Sequence, residues 1–226
     1  MAPNVRLLLL RHGESHSNAH PQAAALPEAE GDRLTPRGRE QAEAAARWLA
    51  SIQPDALVSS QMRRARETAD LIAAQTGLEV EIDDEIHELR ESSDYLELPP
   101  DQQKLRRWSV WMAEHGDDPD WAPEGGESFN DVLGRARRFK ARLGTRDPDI
   151  TVLAVSHGIF ARFLLIDSLL EHRFQARDVH RLWHLRTVNC GLSVFEPARR
   201  YHPADPDLEG WTCLSWMCRP WLSPPS

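Results

Sequence analysis

The sequence predicts an α/β protein built as a three-layer α/β/α sandwich, its sheet mostly parallel with an antiparallel edge strand. Three observations carry that expectation. The apolar runs Leu7-Leu8-Leu9-Leu10, Ala56-Leu57-Val58 and Ile150-Thr151-Val152-Leu153-Ala154-Val155 are continuous rather than alternating, as strands buried on both faces of a parallel sheet are. Stretches with helical apolar spacing lie between the first runs, which gives a βαβ rhythm. Each run also stops at cationic or imidazole groups: Arg11-His12-Gly13, Ser59-Ser60 leading to Arg63-Arg64, and Ser156-His157-Gly158. Open α/β sheets hold their ligands at the carboxyl ends of strands, so one site collecting two histidines and several arginines follows. Such a set suits a phosphate.

In chain order, residues 13–33 follow the first strand and are rich in Gly, Ser, Asn, Pro and acidic groups, the composition of an irregular surface segment. Thr35-Pro36 marks a helix start, with Thr as N-cap and Pro at the first helical position. Ala42, Ala45, Ala46 and Leu49 supply that helix with an apolar stripe, and it should end near Pro54. Met62, Ala65, Ala69 and Ile72 repeat the spacing in a second helix, closed by Gly77 and followed by a short strand from Leu78 to Ile82.

The rhythm breaks at about 94–126, where Pro99-Pro100, a basic stretch with Trp108 and Trp111, and Gly125-Gly126 predict an inserted cap over the strand ends with a helix from about Asp101 to Glu114. Ser128 with Asp131 has the spacing of a capping box and opens a helix whose Phe129, Val132, Leu133 and Ala136 face the core, ending near Gly144. On that helix Arg135, Arg137, Arg138, Lys140 and Arg142 read as a solvated face. Ile159 to Leu170 is nearly continuous apolar sequence and predicts a buried helix. Leu192 to Phe195 is expected to form the edge strand, and a Trp-rich tail with scattered prolines runs over about 197–226.

At 226 residues, 41% of them hydrophobic, the chain can bury a real core and fits a single domain over 1–226 with an elaboration. The net charge of −8 argues against a nucleic-acid partner, which favours concentrated positive charge. No run approaches the ~20 apolar residues of a membrane span, and the first ten residues lack a signal h-region, so no membrane partner and a cytoplasmic location are expected. Cys190, Cys213 and Cys218 are odd in number and without metal-type spacing, which predicts reduced thiols ahead of a Cys213–Cys218 disulfide. Composition carries no signal for oligomeric state.

Four ordered blocks then carry a family resemblance. Arg11-His12-Gly13-Glu14 with Asn18, Leu34-Thr35-x-x-Gly38-x-x-Gln41-Ala42, Ser59-Ser60-x-x-x-Arg64-Ala65-x-x-Thr68-Ala69 and Val155-Ser156-His157-Gly158 together resemble the histidine phosphatase superfamily, also called phosphoglycerate mutase-like. The resemblance implies hydrolysis of a small phosphomonoester through a phosphohistidine intermediate, with no metal and no other cofactor. It makes His12 the nucleophile, against the commoner fate of a lone histidine satisfied in a core, and sets Arg11, Arg64 and His157 around the transferring phosphoryl group. Arginine fits there because its planar fork matches a phosphate edge. Arg63 competes with Arg64, but Arg64 precedes Ala65 as the family arginine does, so Arg63 reads as a surface charge. Asn18, alone an ordinary turn residue, would by resemblance donate to the phosphate.

The leaving oxygen needs a proton donor, since an alkoxide departs poorly until protonated. The family has this glutamate shortly after the short third strand, in a Leu-x-Glu setting. Glu88 of Ile86-His87-Glu88 fits by spacing, and Glu91 of Leu89-Arg90-Glu91 has the literal leucine; Glu88 is favoured. The Gly-aromatic segment usual in the family is replaced by Ser92-Ser93-Asp94-Tyr95. His12, His16 and His20 have the i, i+4, i+8 spacing of a metal face, which Gly13 and the polar surroundings argue against. Two rivals remain from other classes. A cofactor-dependent phosphoglycerate mutase would add a Glu-Arg-x-Tyr-Gly motif, absent here, and a nearby arginine pair, for which only Arg106-Arg107 is available. A catalytically idle phosphate-binding module would have no use for so complete a set.

Overall fold

In a computed structural model of the chain, residues 5–19, 31–92, 108–170, 173–198 and 210–222 are described. Strands β1 (Arg6–Arg11), β2 (Ala56–Ser59), β3 (Val80–Ile82), β4 (Thr151–Ser156), β5 (Leu192–Pro197) and β6 (Trp211–Cys218) form one sheet in the order β3-β2-β4-β1-β5-β6. The first four are parallel, and β5 and β6 add an antiparallel pair at one side. The edge strand expected at Leu192–Phe195 is therefore an inner strand, and the stretch read as tail supplies the true edge. Its pattern explains the difference: β6 has no clean alternation of buried and exposed residues, its pairing with β5 is shifted by bulges, and Met217 has a φ of +51°. A two-residue period is the signal by which a strand is recognised, and here it is missing.

Helix α1 (Pro36–Ile52) begins as expected, the Thr35 hydroxyl accepting from the Gly38 N–H with Pro36 at the first position. Helix α2 (Arg63–Thr76) ends at Gly77, whose φ of +75° is open to glycine at no steric cost. Both bury small residues, Ala42, Ala45 and Ala46 on one and Ala65 and Ala69 on the other, which lets them pack closely on each other and on the sheet. Leu8, Leu10, Leu57, Leu153 and Val155 face them. On the opposite face, α4 (Phe129–Leu143) and α5 (Gly158–Leu170) cover Leu7, Leu9, Val152 and Ala154 with Phe139, Phe160 and Leu164. The four leucines of β1 thus feed two cores alternately, and burying each is worth roughly 1.5–3 kcal/mol.

The capping box of α4 is present in both directions between Ser128 and Asp131. Within the insert, α3 (Trp108–Glu114) buries Met112 in a satellite core with Phe129, Phe163, Phe174 and Leu182, packing against the 3₁₀ helix Ala176–His184. The expected first half of that helix, and the Trp108 side chain, lie outside the described residues. Three further expectations are revised. Residues 16–19 of the presumed irregular segment make one helical turn, and Ser15 bridges to Leu34. Arg135 is not on a solvated face: it is 5% exposed and bonded to Glu127. Lys140 is 13% exposed at its side chain and pairs with Asp167, whereas Arg137, Arg138 and Arg142 are half-exposed in ion pairs.

Candidate active site

Register brings the two histidines together. Arg11 pairs with Ser156, so His12 and His157 leave adjacent parallel strands at the same height. Their ring centroids are 5.0 Å apart. Arg64 enters from the first turn of α2 and donates its Nε–H to His12 Nε2 at 3.0 Å. Arg11, His12, Asn18, Arg64, Glu88 and Glu91 line one cleft of about 870 Å³, so both acid candidates border it.

The second sequence block exists to hold the loop that carries His12. Gly13 and Gly38 cross backbone to backbone: a Cβ on Gly13 would lie 2.4 Å from the Gly38 carbonyl oxygen, so only glycine fits. The Gln41 side chain accepts from the Glu14 N–H, and the Thr35 hydroxyl donates to the Glu14 carboxylate. Thr68, from the third block, accepts from the Gly13 N–H through a hydroxyl that also donates to the Arg64 carbonyl, tying the His12 loop to the helix that carries Arg64. Both the backbone and the carboxylate of Glu14 are thereby engaged in holding this loop.

His12 Nδ1 lies 2.6 Å from the Gly13 carbonyl oxygen. An acceptor there assigns the proton to Nδ1 and leaves the lone pair on Nε2. Burial, then the charges of Arg64 and Arg11, hold the His12 pKa well below its ordinary value. Burial and Arg64 do the same for His157, with His12 and Arg11 contributing. Burial also lowers Arg11 from the usual guanidinium range, opposed by the Glu88 carboxylate. Arg11 Nε and His157 Nδ1 are buried without a hydrogen-bond partner among the described residues. Unpaired buried groups cost about 1–3 kcal/mol each, which an anion seated among them would relieve.

The remaining neighbours were not legible beforehand. Asp32 bonds Arg64 and accepts from the Arg63 N–H, fixing the arginine's approach to His12. Ser60 bonds His157 Nε2 at 2.9 Å. Thr187 accepts from Arg11, and Asn189 donates to the Asn18 side-chain oxygen at 2.8 Å and to the His12 carbonyl. With that oxygen also facing Arg11 and the Ser15 N–H, the Asn18 amide nitrogen is its remaining donor end. No short-range pattern marks Asp32, Thr187 or Asn189, because each acts across 31 or more residues of chain. Arg63 is half-exposed and paired with Glu67, a surface charge as expected.

Glu88 follows the 3₁₀ turn Asp84–Ile86, and its carboxylate accepts the N–H groups of Gly158, Ile159 and Phe160 at 3.1–3.3 Å. It therefore sits on the positive end of α5, directly beside His157. Glu91 is exposed on the same cleft. Among the described residues no group of three or more His, Cys, Asp or Glu side chains could hold a metal ion; His20 of the metal reading lies outside them.

A doubly covered α/β sheet thus gathers two imidazoles and two guanidiniums near its strand ends, a set of donors suited to a phosphate. The chain belongs to the histidine phosphatase superfamily, branch 1, whose sequence profile matches residues 7–212. It is 34% identical over 165 residues to glucosyl-3-phosphoglycerate phosphatase of Mycobacterium tuberculosis, covering 68% of this chain and 70% of that protein. Adenosylcobalamin/alpha-ribazole phosphatase of Escherichia coli is 30% identical over 196 residues, 80% of this chain and 85% of that one. The solved structure of the mycobacterial glucosyl-3-phosphoglycerate phosphatase with VO3 superposes with a TM-score of 0.71 at 28% identity, covering 95% and 99% of the two chains. Family, fold and phosphatase class thus agree with the sequence reading.

Proposed function

We propose that the protein hydrolyses a small phosphomonoester through a phosphohistidine formed on His12, without a metal ion. One observation carries this reading: the Nδ1 contact to the Gly13 carbonyl gives a neutral imidazole with its lone pair at Nε2, flanked by the cationic donors Arg64 and Arg11. Arg64 covers that lone pair, and an incoming phosphoryl group offers it an anionic acceptor instead, so binding uncovers the nucleophile. The Nε2–P bond then forms as the P–O bond to the alcohol breaks. Arg11, Arg64, His157 and Asn18 donate to the phosphoryl oxygens as charge spreads over them, the stabilisation that metal ions give elsewhere. Glu88, entering the step as the carboxylic acid, gives its proton to the departing alkoxide and becomes the carboxylate, which then takes a proton from the water that attacks phosphorus and releases His12.

The named activities of the relatives support a small phosphorylated substrate, and a cleft of about 870 Å³ leaves room for an alcohol well beyond the phosphate. We assign the described part of the insert, residues 108–126, to the substrate side of the single domain, since its Gly125 lines the same cleft as Glu91. A cytoplasmic location suits the three free cysteines, Cys190, Cys213 and Cys218. Rapid mixing with a ³²P-labelled monoester followed by alkaline quench tests the mechanism. Acid-labile label on the protein, absent from His12→Ala, is the expected result; release of phosphate with no labelled protein at any time would reject it.

A further inference from the structure

We propose that Glu127 and Arg135 are positioning residues that hold Glu88 in place for proton transfer. The inference rests on Glu88 being the acid. The chain at 83–90 leaves a three-residue strand, passes one 3₁₀ turn and then has no regular structure, so little in its own backbone holds the acid still.

A buried ion pair supplies what the loop lacks. Arg135 donates to both Glu127 carboxylate oxygens at 2.8 and 3.0 Å, and its remaining terminal nitrogen donates to the carbonyls of Glu85 at 2.6 Å and His87 at 3.0 Å. Glu127 accepts from the Arg90 N–H at 2.9 Å and returns its own N–H to the Arg90 carbonyl at 3.0 Å. The main chain is thus gripped on both sides of Glu88, while the Ser156 hydroxyl at the end of β4 holds the Ile86 carbonyl. The same guanidinium lies 5.6 Å from the ring of Phe160, whose N–H binds the Glu88 carboxylate. Loop, acid and the helix end that receives the acid therefore meet through one pair.

Stability alone is a poor reason for this arrangement. Glu127 and Arg135 are 7% and 5% exposed, and buried pairs commonly repay little more than their own desolvation. Their distinctive product here is geometry, since the planar fork satisfies a carboxylate and two carbonyls at once. Lysine cannot reproduce that, although it keeps the charge.

The test compares leaving groups. Arg135→Lys should lower kcat/KM on an alkyl phosphate about tenfold, the order expected of a sub-ångström misplacement, while kcat/KM for para-nitrophenyl phosphate, whose phenolate leaves unaided, changes by less than about threefold; kcat/KM ends at phosphohistidine formation, so the hydrolysis step shared by both esters does not enter. In a Glu88→Gln background the same substitution should lower the alkyl rate by less than about twofold, because the group it positions is gone. Glu127→Gln is the second variant should the first fail to fold, as judged by its thermal melt. Equal losses on both substrates, losses that multiply with Glu88→Gln, or no loss at all would each overturn the proposal. If Glu88→Gln by itself shows no preference for the aryl ester, the acid assignment fails instead, and the two failures are separate.

Discussion

The two sides of the cleft are built on different principles. On the side proposed to hold the phosphate, Arg11, His12 and His157 sit at or just past the ends of central, buried strands, and Arg64 on the first turn of a helix packed against them. Their positions follow from the sheet itself. On the leaving-group side, Glu88 rides a loop beyond β3, whose residues are half-buried or exposed, at the far edge of the sheet. There the backbone is held by side chains such as Glu127, 37 residues away from its partner Arg90. A group at a strand end inherits the rigidity of the core, whereas a loop carboxylate needs dedicated bonds to reach the same precision.

Substitutions should separate the two sides, and the largest effect belongs to the phosphate side. His12→Ala should abolish turnover of every ester while the folded protein persists, because the nucleophile serves all substrates; normal hydrolysis by this variant would sink the assignment. Glu88→Gln should cost ~10²- to 10⁴-fold in kcat/KM on alkyl phosphates and far less in kcat/KM on para-nitrophenyl phosphate, where acid help matters little; kcat/KM leaves out the hydrolysis step common to both. Glu91→Gln should leave both rates within about twofold. Comparing the three variants on both esters shows whether the defect follows the nucleophile or the leaving group, and selectivity in Glu91→Gln would transfer the acid role.

A smaller effect concerns acid stability, to which the phosphate side contributes His12 and His157 and the leaving-group loop His87, whose pKa burial also lowers. The pKa values of His12 and His157 are lowered on folding, so below about 6.5 the unfolded chain binds protons that the native state refuses. Stability from these residues is therefore complete above pH 6.5 and falls as the pH drops toward their lowered values. The urea midpoint should decline from pH 7.5 to 5.5, and less so in His157→Asn; an equal decline in that variant would mean that other groups set the acid limit. The smallest expected change is none: exhaustive EDTA treatment should leave hydrolysis intact, and loss with rescue by a divalent ion would revive the reading of His16 and His20 as ligands.

By itself the sequence determined what short-range chemistry determines. Four leucines in a row specify a strand with two buried faces, Thr35-Pro36 and Ser128 with Asp131 specify helix starts, and the residues that close each apolar run specify where the imidazoles and guanidiniums of the candidate site stand. Each is decided within a few residues, so each is written locally. The tertiary structure alone decided the rest. Arg135 looks like its solvated neighbours until the loop at 85–90 folds over it, and Asp32 looks like any loop acid until Arg64 arrives from α2. The stretch Trp211–Cys218 becomes a strand by pairing with β5 despite lacking the alternation that marks one. In all three cases the partner is distant in sequence, and the free energy of a buried ion pair or a ladder of backbone hydrogen bonds exists only once the chain has brought that partner near.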